Sequence, residues 1–242
     1  VALALMLVGC ASISNRTAAN TSSPPSSPSA SSNTAPLVAL EPGTQAAPSF
    51  WPPLTFTVPA GWLTEPAAEG QLTLVPDTSE NRELIGSGGY PTIFLNVFPS
   101  IQVAAEDCSD EAAPGVEWTA DDIVGALATR PGLSTEEPVP VAVGGLSGQQ
   151  IDLAIDPDWT ANCGGDGPYV PLLYSQDFIT WGAEPDEQWR IIVLDVAGLP
   201  SGMYATVMVV VYSAAAEGWD DHLAASTAVI ESFEFDTTPP GP

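Results

Sequence analysis

The sequence predicts an α+β domain, a largely antiparallel β-sheet covered by helices, preceded by a disordered linker. Three observations carry this expectation. Short apolar or alternating segments bounded by Gly and Pro recur between residues 54 and 212. Only two stretches have helical spacing, one of them with a cap signal. Residues 11–49 are mainly Ser, Ala, Pro, Thr and Asn, a composition that buries too little apolar surface to offset the entropy of ordering it.

Within the expected domain, residues 50–237, the first strand is Leu54-Thr55-Phe56-Thr57-Val58, which alternates with period two and stops at Pro59-Ala60-Gly61. Gln71 to Val75 is a second short strand, and Tyr90 to Phe98, rich in β-branched and aromatic residues, a third. Thr119-Ala120-Asp121-Asp122 places a Thr cap three residues before an acid and so opens a helix. Ile123, Val124 and Leu127 form its apolar face, and Arg130-Pro131-Gly132 ends it. Val139 to Val143 and Gln149 to Ile155 read as a strand pair around the turn Gly144-Gly145-Leu146-Ser147-Gly148. Three further strands follow: Tyr169 to Phe178, Trp189 to Val196 and Met203 to Tyr212. The run Val207 to Val211 is apolar on both faces, which predicts the centre of the sheet. Trp219, Leu223, Thr227 and Ile230 give a closing helix, and Ser232-Phe233-Glu234-Phe235 a brief extended end. Residues 238–242 form a flexible tail.

Charge narrows the function classes. The chain has 242 residues, 30 of them Asp or Glu against four Arg, for a formal net charge of −26. Nucleic-acid grooves and polybasic lipid contacts need clustered cations, so both are excluded. The pairs Gly88-Gly89 and Gly144-Gly145 do not follow the phosphate-loop pattern, and no Lys exists to reach a phosphate. Three Cys and one His leave little material for a zinc site, and no cofactor is expected.

Val1 to Gly9 is an apolar run too short to span a bilayer, which takes about 20 residues. It reads as the end of a signal-peptide h-region, and Leu7-Val8-Gly9-Cys10 resembles the lipobox of bacterial lipoproteins. That resemblance implies that residues 1–10 are a signal remnant and lipobox, and that Cys10 is diacylated. The protein is then anchored on the extracytoplasmic face of the membrane, with 11–49 as a stalk. Acyl burial contributes about 0.8 kcal/mol per CH₂, enough for two chains to hold it there.

Cys108 and Cys163 are expected to pair, because an even pair in one extracytoplasmic domain most often forms a disulfide. Asp156, Asp158 and Asp166, in a Gly-rich segment, are weak calcium candidates whose spacing departs from the usual loop pattern. Trp159 and Trp181 fall in acidic, polar stretches, where exposed rings would suit a glycan or a partner surface. His222 and Ser226 sit one helical turn apart and could be base and nucleophile of a hydrolase. The ordinary reading of His222 is a half-exposed helix residue beside Trp219, and no Gly-x-Ser-x-Gly elbow is present.

One wider resemblance bears on the fold. The segment Val58-Pro59-Ala60-Gly61-Trp62, the late strand pair, and the terminal Ile230-Glu231-Ser232-Phe233-Glu234-Phe235 resemble the PsbP-like group. That group includes the photosystem extrinsic subunit and actinobacterial LpqN-type lipoproteins. The resemblance implies an accessory or binding role and transfers no catalytic residue. The expected function is therefore a non-catalytic, lipid-anchored envelope module for a partner protein, glycan or small ligand. The alternatives are an extracytoplasmic hydrolase and a structural subunit of a membrane complex.

Overall fold

The computed structural model describes residues 37–65, 70–86, 93–99, 101–175, 178–196 and 205–238. The lipobox and residues 11–36 of the expected linker lie outside the described residues. Along the chain come β1 (Val38–Ala39), β2 (Gly43–Ala47), β3 (Leu54–Val58), β4 (Trp62–Thr64), β5 (Leu72–Pro76) and α1 (Ser79–Gly86). Then follow β6 (Ile93–Pro99), β7 (Gln102–Val103), α2 (Ala120–Ala128), β8 (Leu133–Thr135), β9 (Val139–Val143) and β10 (Leu146–Ile155). The last third holds β11 (Val170–Ser175), β12 (Phe178–Ala183), β13 (Gln188–Asp195), β14 (Thr206–Ser213), α3 (Trp219–Ile230) and β15 (Glu234–Phe235).

Among the described residues, every ladder is antiparallel. The main sheet has the order β1-β4-β5-β6-β14-β13-β10-β8, with β9 also paired to β10. Two three-stranded sheets, β12-β11-β7 and β15-β3-β2, complete an α+β architecture. Strand β14 runs between β6 and β13, as its two-faced apolar run predicts. Val207, Val209 and Val211 pack with Leu54, Phe56, Val229 and Phe233, on the face that carries β3 and α3. Met208 and Val210 pack on the other face with Ile123, Leu127, Val170 and Leu173, from α2 and β11. All five of these β14 side chains are fully buried, and burying each contributes about 1.5–3 kcal/mol.

Helix α2 starts where its cap signal places it. Thr119 is extended (φ −128°, ψ 155°), and its hydroxyl oxygen accepts from the Asp122 amide at 3.2 Å. Asp195, at the end of β13, accepts from the Ala120 amide at 2.8 Å, which ties the helix start to the main sheet. A carboxylate there also opposes the partial positive charge of the helix end.

Three expectations need correction, and one helix carries no sequence signal. The linker does not extend to residue 49, because β2 pairs with β3 from Gly43↔Val58 to Ala47↔Leu54, and β1 pairs with β4. Sequence Gly43 to Ala47 has no large apolar side chain to bury, so backbone pairing holds it, with only Ala47 packed against the core, and its composition conceals it. The Gly-rich turn is only Gly144-Gly145, both at positive φ, and β10 begins at Leu146. The expected strand Tyr169 to Phe178 is two strands, β11 and β12, paired antiparallel. Helix α1 has no apolar period: Asn81 and Ile85 are its buried side chains, and the Thr78 hydroxyl oxygen accepts from the Asn81 amide.

Candidate functional site: a groove at the disulfide

The small β12-β11-β7 sheet presents a groove of about 700 Å³ at its end. Tyr169, just before β11, forms part of its lining and is held at several points. Its amide donates to Ala161 O at 3.0 Å, its hydroxyl donates to Thr180 O at 3.3 Å, and its carbonyl accepts from Trp159 Nε1 at 3.2 Å. The ring lies against Gly182 of β12, where a Cβ would come within 2.3 Å of it. Glycine is thus required there by close approach.

Two loops wall the groove, and Cys108–Cys163 joins them with a Cα–Cα distance of 5.4 Å. The Cys108 wall, residues 104–112, is closed by its own backbone, with Ala104 bridged to Ala112 and the Ala105 amide donating to Glu111 O. Asp107 Oδ1 accepts from the amide and hydroxyl of Ser109, which holds the Asp107 carboxyl below its ordinary range. The Thr180 hydroxyl donates to Asp110 Oδ1 at 3.2 Å and links this wall to β12. In the Cys163 wall, Asn162 Oδ1 accepts from the Gly164 amide, and Gly164 takes φ +87°.

The groove is negative. Asp110, Asp166 and Glu184 contribute to its lining, and none of the described lining residues is basic. Burial raises the Tyr169 hydroxyl above its ordinary value, and the charges of Glu184, Glu187 and Asp110 push it the same way. The ring therefore keeps its proton and stays a donor.

Two polar anchors support the groove from behind. Arg130, just past α2, is 5 % exposed and donates to Pro171 O at 2.8 Å and to Ala104 O. Its Nε has no hydrogen-bond partner among the described residues, and burial lowers its affinity for the proton while Glu106 opposes that shift. Glu187, half-buried before β13, accepts from the Tyr212 hydroxyl, the Trp189 indole at 3.3 Å and the Glu184 amide at 2.8 Å. Burial nevertheless raises the Glu187 carboxyl above its ordinary value.

Only part of the expected site assembles here. Cys108 and Cys163 bond as expected, and Asp166 contributes to the groove. Asp156, Asp158 and Asp166 do not form a metal cluster: among the described residues, no three His, Cys or acidic side chains are placed to hold an ion. Asp156 instead accepts from the Asp158 amide in its own turn. Trp159 is not an exposed ring, since it packs against the core and against Gly132, where a Cβ would meet it at 2.5 Å. Trp181 lies in β12 rather than a loop, edge-to-face on Phe98 with ring centroids 4.7 Å apart. Acids flank both rings in sequence, while the partners that cover them are distant in the chain.

His222 is also not half-exposed. It is 6 % exposed and Ser226 is fully buried, with Ser226 Oγ 3.5 Å from His222 Nε2. Both side chains lie on the buried face of α3. Asp110, Glu184 and Tyr169, by contrast, carry no sequence signal of a common site, because Asp110 lies 59 residues before Tyr169 and 74 before Glu184. The absence of a side chain at Gly182 is the one local clue to the Tyr169 seat.

No protein-family model matches the chain, and no curated protein matches it. Among solved structures it is similar to LpqN, described as involved in cell envelope biogenesis of Mycobacterium tuberculosis, at 12 % identity over 82 % of this chain and 89 % of that one, with a TM-score of 0.37. It is also similar to the cyanobacterial PsbP (CyanoP) of Synechocystis sp. PCC 6803, at 14 % identity over 81 % and 95 %, with a TM-score of 0.34. A chain from Bacteroides thetaiotaomicron VPI-5482 matches at 8 % identity and a TM-score of 0.34; 81 % of the present chain aligns, spanning about half (49 %) of that one. Such loose superpositions carry no argument about function. The α+β class rests on the ladders and cores described above.

Proposed function

We propose that the chain is an extracytoplasmic binding module, tethered through lipid on Cys10, whose groove takes a cationic segment of an envelope protein. The observation that carries this reading is the groove itself, with Asp110, Asp166 and Glu184 around Tyr169 and no basic residue among the described residues of its lining. A concave site with a few convergent polar groups is the usual form of a ligand pocket. An arginine or lysine entering it gains charge-assisted hydrogen bonds from the carboxylates and a ring face from Tyr169. The wider field of a chain with net charge −26 steers such a partner inward. Among the described residues, no helix is long and apolar enough to cross a membrane. Titration of the full chain with a fluorescein-labelled hexa-arginine peptide tests the groove. Saturable binding that weakens when Asp110→Asn and Glu184→Gln are combined supports it, and equal binding by that variant refutes it. Intact mass of membrane-fraction protein, with Cys10→Ala as control, tests the tether: the acyl mass should vanish in the variant.

A further inference from the structure

We infer that the Cys108–Cys163 bond is a redox latch on this groove: reduction by a dithiol frees one wall while the main sheet stays folded. The inference rests on the reading of the groove as the binding site. It follows from how unequally the two walls are held. The Cys108 wall has its own supports, in the Ala104–Ala112 bridge, the Ala105-to-Glu111 hydrogen bond and the Thr180-to-Asp110 link to β12. The Cys163 wall has none of that kind. Among the described residues, the hydrogen bonds of Asn162 to Pro168 stay inside the loop, and Tyr169 N to Ala161 O closes only its neck. Gly164, Gly165 and Gly167 resist fixing any conformation by themselves. The disulfide is therefore what joins this wall to the opposite one.

The bond is also reachable and separable. Both cysteines line the groove, and Cys108 is exposed, so an attacking thiolate has access. Neither cysteine belongs to the hydrophobic cores that hold the main sheet. In the exchange, one thiolate of the dithiol attacks a sulfur of the pair and forms a mixed disulfide. Its second thiolate then displaces the remaining protein sulfur. Two electrons and two protons pass to Cys108 and Cys163, which become thiols, and the reductant leaves as its own disulfide. Asp166 then departs with the freed wall, and the negative groove loses one side.

Amide hydrogen exchange of the full chain, before and after treatment with dithiothreitol, tests the latch without requiring a ligand. Exchange of the hydrogen-bonded Gly164 and Tyr169 amides, which donate to Asn162 Oδ1 and Ala161 O, should accelerate by at least about tenfold on reduction, while β13 and β14 keep their protection. Unchanged exchange in the loop overturns the inference, and so does loss of protection in β13 and β14, which would mean global unfolding. The same two samples are then titrated with labelled hexa-arginine. Binding by the oxidised form that falls about tenfold on reduction supports the latch, a difference of about 1.4 kcal/mol. Equal binding by both forms overturns the latch and leaves the groove standing. No binding by the oxidised form overturns the groove reading, and the latch as a control on binding falls with it.

Discussion

Replacing Arg130 by Met should be one of the costliest substitutions in the domain outside its apolar core. The guanidinium is 5 % exposed and crosses from the end of α2 to two carbonyls, Pro171 O in β11 and Ala104 O just past β7. Methionine fills the stem of the side chain as far as Nε and donates nothing, so both carbonyls lose this donor. Each buried orphan costs about 1–3 kcal/mol, and the relief of a buried cation whose Nε is unpartnered returns part of the sum. The net loss should be about 2–4 kcal/mol. With a urea slope of about 2 kcal/mol per M, the unfolding midpoint followed by tryptophan fluorescence falls by about 1–2 M. Arg130→Lys should recover less than half of this, because one ammonium cannot take both carbonyls in the geometry of a planar fork. Arg82→Met removes an exposed ion pair with Asp77 and should leave the midpoint almost unchanged. A variant Arg130→Met as stable as the parent would refute the reasoning, since the guanidinium would then not join the small sheet to α2.

The other predictions concern the sheet and its polar support. Asp152 and Arg190 face each other across β10 and β13, joined by hydrogen bonds of 2.6 and 2.5 Å with each side chain about one-fifth exposed. A double-mutant cycle with Asp152→Asn and Arg190→Met should give a coupling of about 1 kcal/mol, and a coupling indistinguishable from zero would count against the pair. The Glu187 carboxyl is raised above its ordinary value of 4.5, so the folded state holds that proton more tightly than the unfolded chain. Its contribution to stability is therefore fully present below 4.5 and is lost as pH rises through the raised value. Urea midpoints measured at several pH values from about 4.5 to 7 should fall with pH in the parent, and less steeply in Glu187→Gln. An identical slope in both would exclude Glu187 as a source. Gly148→Ala should lose more than about 4 kcal/mol, because a Cβ there meets the Val193 carbonyl oxygen at 1.8 Å, whereas Gly165→Ala meets nothing within 4 Å and should stay within about 0.5 kcal/mol. Similar midpoints for the two alanine variants would show that the close approach is relieved cheaply.

What could be read from the sequence divides along a physical line. Elements held by their own apolar pattern were legible: Leu54 to Val58 by alternation, Val207 to Val211 by its run, and α2 by its Thr119 cap. Elements held mainly by backbone pairing were not, and Gly43 to Ala47 has the look of linker because its side chains bury little. Gly148 shows the same limit. It reads as the last residue of a turn, yet it lies within β10 and lets the backbone of β13 approach. The groove was legible only through Cys108, Cys163 and Asp166. Charge near a tryptophan in sequence misplaced Trp159 and Trp181 on the surface, because what buries a ring is set by residues such as Gly132 and Phe98 that the local pattern does not contain. Arg130 carried a stop signal for a helix, and nothing local reveals that its guanidinium turns inward to two distant carbonyls.

The central claim is that one groove, rather than the acidic surface at large, takes a cationic partner. Calorimetric titration of labelled hexa-arginine into three full-length proteins tests it most directly: the parent, Asp110→Asn with Glu184→Gln, and Asp220→Asn with Asp221→Asn. The last pair removes the same charge from the first turn of α3, away from the groove lining. The account predicts one saturable site in the parent, the same site in the α3 variant, and an affinity at least about tenfold weaker in the groove variant. Equal weakening in both variants would show that binding follows net charge alone, and would contradict a site in the groove.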